Sequence, residues 1–289
     1  MFSYTDWGPA AAWRTTTLTN DAFWALGRSP TVLAQLPGWR LSQCRPDSMH
    51  VVNLGLAHLL IGNALWYFAT RCLHTMLPVD GIAQLPAGAS MSDRLWDLQL
   101  RFKAWLRVRK LQCSIRRFTV AALHREKSTH VCMFLCKAAQ APPLVGWLSE
   151  LASDFAAVSN DPHAGVVAGC LWGMATYFDV LKSGGRFLTN DECHRLDEAG
   201  HAFLYLYSEL TRASHDALWR ITPKFHQFQH LVLDALEDKC NPRFFTCFGD
   251  EDMVGKMLTL SRTGHAHVPQ DHVVTMYAIG AKQRFLAPP

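Results

Sequence analysis

No Cys-x-x-Cys pair occurs in this 289-residue sequence, although it holds nine cysteines. Cys132 and Cys136 lie four apart and Cys240 and Cys247 seven apart, and neither is a zinc-finger spacing. Residues 1–12 lack the basic start and apolar run of a signal peptide, so the thiols are expected reduced, mostly buried and intracellular. No Walker or dinucleotide glycine fingerprint is present, which removes the common phosphate-cradling loops. Gln227 follows His226 where a His-Glu-x-x-His zinc peptidase would place its general base, which argues against that class. No Ser or Cys sits in the signature of an activated nucleophile. A fixed-period repeat, a low-complexity tract and a clear linker are also missing, which points to a helical body without repeats.

Hydrophobic residues make up 49% of the chain and charged residues 18%, the composition of a folded protein with ample core. Ser48 to Thr70 carries no formal charge and is long enough to cross a bilayer. His50, Asn53, His58 and Asn63 interrupt it, and polar groups at this density are costly in lipid. The run therefore reads as the first part of a buried helix extending to Met76 and ended by Pro78, with no membrane partner. Asn53, Gly55 and Gly62 leave room on it for close packing by neighbours.

The fold class expected is mainly α, an irregular multi-helix array with one or two residual strands. Residues 1–46 form a loop-rich segment and 47–289 a single helical domain. Helices are expected at about 92–108, 114–123, 129–139, 144–158, from Asp161-Pro162 to 181, from an Asn190 cap toward Trp219, at 223–237, at 250–261 and at 271–285. Pro142-Pro143 reads as a break. Gly38 to Cys44 is a candidate strand, and Arg243 to Phe248 a second that would pair beside it. Trp96, Trp105, Trp147, Trp172 and Trp219 fall on different helices and are expected as core anchors.

The charge is unevenly placed. Arg101, Lys103, Arg107, Arg109, Lys110, Arg116, Arg117, Arg125 and Lys127 face one acid, Glu126, giving a local charge of +8 in a chain of formal charge +4. The remainder carries −4. Such a stripe can grip a phosphate backbone without reading bases, and the first seven of these residues are the candidate DNA contacts.

Two motif regions stand far apart in sequence. Asp47-x-x-His50 opens the apolar helix, and Pro223-Lys224-Phe225-His226 followed by His230 precedes a Phe-rich segment and the acidic start Asp250-Glu251-Asp252. His226 and His230 share one helical face, as metal ligands would. With a helical stretch of about two hundred residues between them, these motifs resemble the C-terminal part of DDE transposases, the CACTA and Plavaka types above all. The resemblance implies an RNase H-like catalytic domain with a helical insertion, and Mg²⁺ ions bound by three acids. Asp47 would be the second acid, Glu251 the last, and His50, Lys224, His226 and His230 would surround them. Two hard cations held by carboxylates are what phosphodiester cleavage and strand transfer require. Asp6 and Asp21 are the acids upstream of Asp47, and neither lies in a strand-like run. The expectation is thus a nuclear transposase remnant that does not cleave DNA alone. Two other classes stay open: a helical structural or interaction domain without an active site, and an HD-type metal phosphohydrolase built on His215-Asp216 with His194 or His201 and Asp234.

Overall fold

The computed structural model describes residues 5–26, 35–71, 73–79, 81–82, 84–86, 88–214, 217–263, 274–280 and 282. Its helices begin where the sequence supplies caps. Helix α1 (Asn20–Ala25) is capped by the Thr19 hydroxyl, which accepts from the Ala22 amide. Further along, α2 (Ala57–Thr70) and the short α3 (Leu73–Met76) precede α4 (Met91–Val108). Ser90 and Asp93 form a reciprocal capping box at the start of α4. Thr189 and Glu192 form another for α7 (Asn190–Ala213), so the cap is Thr189 rather than Asn190.

Pro142 and Pro143 do not break a helix but stand in the first turn of α5 (Ala141–Val158). The missing amides cost nothing there, because first-turn amides have no partner within the helix. α6 (Ala164–Ser183) follows an Asp161 carboxylate that accepts from the His163 amide at 2.9 Å. Pro223 likewise opens α8 (Pro223–Asp238), which ends at Lys239 in the left-handed conformation, φ +60°. α9 (Phe248–Thr263) is the last complete helix among the described residues.

The result is a mainly helical chain with no strand among the described residues. An isolated antiparallel bridge joins Phe187 and Cys240. Both expected strands are corrected: Leu41–Gln43 and Pro242–Phe244 are single 3-10 turns, and Phe248 already belongs to α9. The expected helices at 114–123 and 129–139 are corrected as well. That stretch is irregular, with turns of its own and further hydrogen bonds from distant helices. The Gln99 side chain donates to the Arg116 carbonyl at 3.3 Å and accepts from the Phe118 amide at 3.1 Å. The Phe134 amide donates to the His58 carbonyl at 2.9 Å.

The chain divides into two units, Met1–Phe245 and Thr246–Pro289. The division falls far from residue 46, because the N-terminal segment belongs to the larger unit. Trp7 is buried there, its indole N–H donating to the Ser208 hydroxyl at 2.9 Å, while its carbonyl accepts from Gln229 at 3.0 Å. In this unit α6 packs between α5 and α7, α7 packs on α8, and α2 meets α4, α5 and α6.

Among the described residues, two helices are long and apolar enough to cross a membrane, Met49–Thr70 and Ala164–Ser183, each with mean hydropathy 1.4. The apolar window of the first is 83% buried inside the fold and that of the second 50%. Leu56, Leu60, Ile61 and Leu65 are sealed from solvent against the other helices, which accounts for their hydropathy as core. Every described cysteine is a free thiol. Burial pushes the Cys132 and Cys136 thiols up to about 12, so neither is a thiolate nucleophile at neutral pH.

Candidate functional site

The Asp47 motif does not open onto an α-helix. Met49–Leu56 is a π-helix that runs into α2, and π-turns are rare insertions that recur at functional sites. Asp47 orients its first turn: one carboxylate oxygen accepts from the Met49 amide at 2.9 Å, and the other meets His50 Nδ1 at 2.6 Å. Arg45, just before it, is clamped between Asp234, at 2.5 Å, and Asp238 on α8. The Ser48 amide donates to the Phe245 carbonyl at 2.8 Å. At the other end of α8, Lys224 Nζ donates to the His50 carbonyl at 2.7 Å.

The segment 45–55 therefore runs antiparallel along α8, and the two motif regions read from the sequence meet through Lys224 and His50. Gly55 makes this possible. A Cβ there would lie 2.5 Å from Lys224 Cδ and 3.0 Å from the His50 carbonyl oxygen, so a larger residue would expel the lysine. As a donor, Asp47 supplies the hard oxygen that Mg²⁺ takes. Glu251 belongs to the second unit. There it lies on the first turn of α9, its amide bonded to the Cys247 carbonyl at 2.8 Å, and lines an open groove with Lys256 and Tyr277.

His226 and His230 come together on α8. Their Nε2 atoms are 3.2 Å apart, with the rings at 80°. Trp13 covers both edge-on, its ring centroid 4.6 Å from His226 and 5.0 Å from His230. Nothing in the sequence pattern points to Trp13, since it precedes the pair by more than two hundred residues in a loop-rich segment. Burial lowers the pKa of both imidazoles; for His226 the second cause is His230, and for His230 Asp234 opposes the shift.

The basic stripe is only partly a surface. Arg101 is corrected as a DNA contact: it is buried, pairs with Asp97 at 2.6 Å and donates to the Leu77 carbonyl at 2.5 Å. Arg125 is buried too, bonded to the Ser128 and His130 carbonyls. Arg109 pairs with Glu150 at 2.6 Å, and Trp105 donates to the same carboxylate at 2.8 Å. Lys103, Arg107, Lys110, Arg116 and Arg117 are exposed. Lys103 Nζ sits 5.2 Å and the Arg117 guanidinium 4.5 Å from the Trp96 ring centroid. Trp96, Lys103 and Arg107 follow one another at helical spacing along one edge of α4, Lys110 lies in the turn just past its end, and Gln99 hangs Arg116 and Arg117 beside that edge. Trp147 and Trp219 are the buried anchors expected, whereas Trp96 and Trp105 are half-buried and Trp172 is exposed.

Of the HD-type set, His215 and Asp216 lie outside the described residues. His201 is committed to Asp197 at 2.8 Å and Asp234 to Arg45, while His194 is exposed. Comparison with known family models, with curated proteins and with solved structures gives no match for this chain.

Proposed function

We propose that this chain is a DNA-contacting helical domain descended from a Mg²⁺-dependent DDE transposase, working as a binding body. The observation that carries the binding half is the basic edge of α4, where Lys103 and Arg117 flank Trp96 and Arg107, Lys110 and Arg116 extend the same charge. Stacking against an indole face holds two flexible cations in a fixed direction, which lowers the entropy lost when they meet phosphate. Gln99 gives the irregular segment the same fixity, because its amide bonds to backbone on both sides of Arg117.

The transposase half is supported by the Asp47-x-x-His50, Lys224, His226-x-x-x-His230 and Glu251 motifs. In that reading Asp47 and Glu251 are Mg²⁺ ligands. Nuclear localisation would follow from the same descent.

Equilibrium binding to duplex DNA across a salt series tests the first half. Five phosphate contacts give a slope of roughly −4 to −5 in log affinity against log salt, at about 0.9 per contact. Arg117→Ala and Lys103→Ala should each reduce that slope by about one, with little change between DNA sequences. A weak, salt-independent response in the wild type leaves the helical body as a structural or interaction domain and overturns the DNA reading.

A further inference from the structure

We propose that His226 and His230 form a two-imidazole chelate for a first-row divalent cation of the zinc, copper and nickel class, beneath the Trp13 indole. The geometry carries the argument. Side chains four residues apart on a helix point the same way, and here the two Nε2 atoms meet at 3.2 Å in a hydrogen bond from one ring to the other. Two imidazoles bound at about 2.0–2.1 Å on neighbouring vertices of a tetrahedron hold their nitrogens about 3.3–3.4 Å apart. The pair thus needs only a few tenths of an ångström of adjustment to take up an ion.

The surroundings favour the metal-binding form. Imidazole binds metal through an unprotonated ring nitrogen, and the proton that the two rings share leaves Nε2 when the donor ring takes its other tautomer. The rings are held from outside by Trp13, which is itself tied down: its indole donates to the Asp6 carbonyl at 2.9 Å, and Trp7 next to that residue is buried. Imidazole donors select zinc, copper or nickel over magnesium, so this site is separate in chemistry from the carboxylate site of the transposase reading and does not depend on it. Water completes the coordination. Gln227 stands where a metallopeptidase would carry its glutamate, so the ion binds here without an adjacent general base.

Trp13 supplies a reporter. Titration of the full chain with Cu²⁺ or Ni²⁺ should quench part of the tryptophan emission at one equivalent, and Trp13→Phe should remove that part of the quench. Zn²⁺, followed by competition with a chromophoric chelator, should bind at one equivalent. His226→Gln and His230→Gln should each lower its affinity at least tenfold, and Zn²⁺ should raise the melting temperature of the wild type but not of these variants. Unchanged affinity in both Gln variants would place the ion elsewhere and overturn the assignment. If circular dichroism shows that a Gln variant has not folded, the ¹⁵N spectrum of histidine-labelled wild type decides. Zn²⁺ should shift the ring-nitrogen resonances of two histidines, and a spectrum that does not change refutes the site.

Discussion

Arg101 and Asp97 form an ion pair at 2.6 Å, one helical turn apart on α4, and both side chains are almost completely removed from solvent. A buried charge is tolerated only while its partner remains, and Arg101 has a second acceptor in the Leu77 carbonyl. Asp97→Ala should therefore destabilise the larger unit by about 3–5 kcal/mol. The double replacement Asp97→Leu with Arg101→Leu should recover most of that loss, because it leaves no charge stranded. Urea unfolding followed by tryptophan emission distinguishes the two. A single Asp97→Ala variant as stable as the wild type would mean that Arg101 reaches solvent.

Gly62 marks the place where the irregular segment crosses α2. A Cβ at Gly62 would lie 2.5–2.8 Å from the backbone N, Cα and C of Met133, and backbone pinned by the Met133-to-Leu123 and Phe134-to-His58 hydrogen bonds cannot step aside. Gly62→Ala should cost about 1–3 kcal/mol, the usual range for overpacking. Gly146→Ala on α5 is the internal control. No described atom lies within 4 Å of its added Cβ, so better helix propensity should stabilise the protein by about 1 kcal/mol. Equal effects of the two substitutions in thermal melts would show that the Met133 crossing is not tight.

These two sites mark the boundary of what the sequence reveals. α4 was legible because Leu95, Leu98, Phe102 and Leu106 repeat at helical spacing and all are buried, and a capping box precedes them. Gly62 was legible as a close approach, though not what approaches it. The segment 109–137 misleads because Val120 and Leu123, and Val131 and Phe134, imitate helical spacing, while Gln99 and His58 supply hydrogen bonds that fix its backbone from far along the chain. Spacing likewise put His226 and His230 on one face, but the π-turn at Met49–Leu56 and the cover of Trp13 arise from tertiary contacts with no local signature. Arg101 looked like surface because charge alone does not show which arginine of a stripe faces a buried aspartate.

Two histidines give pH dependences of opposite sign. Burial, with Lys224 as a lesser cause, lowers the pKa of His58, whose ring meets the Cys136 carbonyl at 2.9 Å. The unfolded chain, with a His pKa of about 6.5, then binds more protons than the folded one, so stability is full above that value and falls as pH drops below it. The hydrogen bond to Asp197 raises the pKa of His201. Its contribution is full below about 6.5 and is lost as pH rises through the raised value. Melting temperatures from pH 5 to 8 should show His58→Gln flattening the acid side and His201→Gln lowering stability at pH 5–6 more than at pH 8. Identical pH profiles for both variants and wild type would refute this assignment.

Asn241 joins the ends of α6 and α8 without a strand. It is fully buried, and its Nδ2 donates to the carbonyls of Leu181, Gly184 and Gly185 at 3.0–3.3 Å, while Oδ1 accepts from the Arg243 amide at 2.9 Å. Two N–H groups thus serve three carbonyls left over where α6 ends, one of them shared. Asn241→Ala strands those carbonyls and should cost about 3 kcal/mol, at the upper end for a buried unsatisfied group. Asn241→Asp keeps the volume but replaces the donor with a carboxylate oxygen facing carbonyl oxygens, so it should destabilise more than alanine at pH 7. Lowering the pH toward 4 should narrow the gap between the two variants, since a protonated carboxyl recovers one donor. If the aspartate variant is the more stable of the two at pH 7, Asn241 acts by filling space and not by donating its hydrogen bonds.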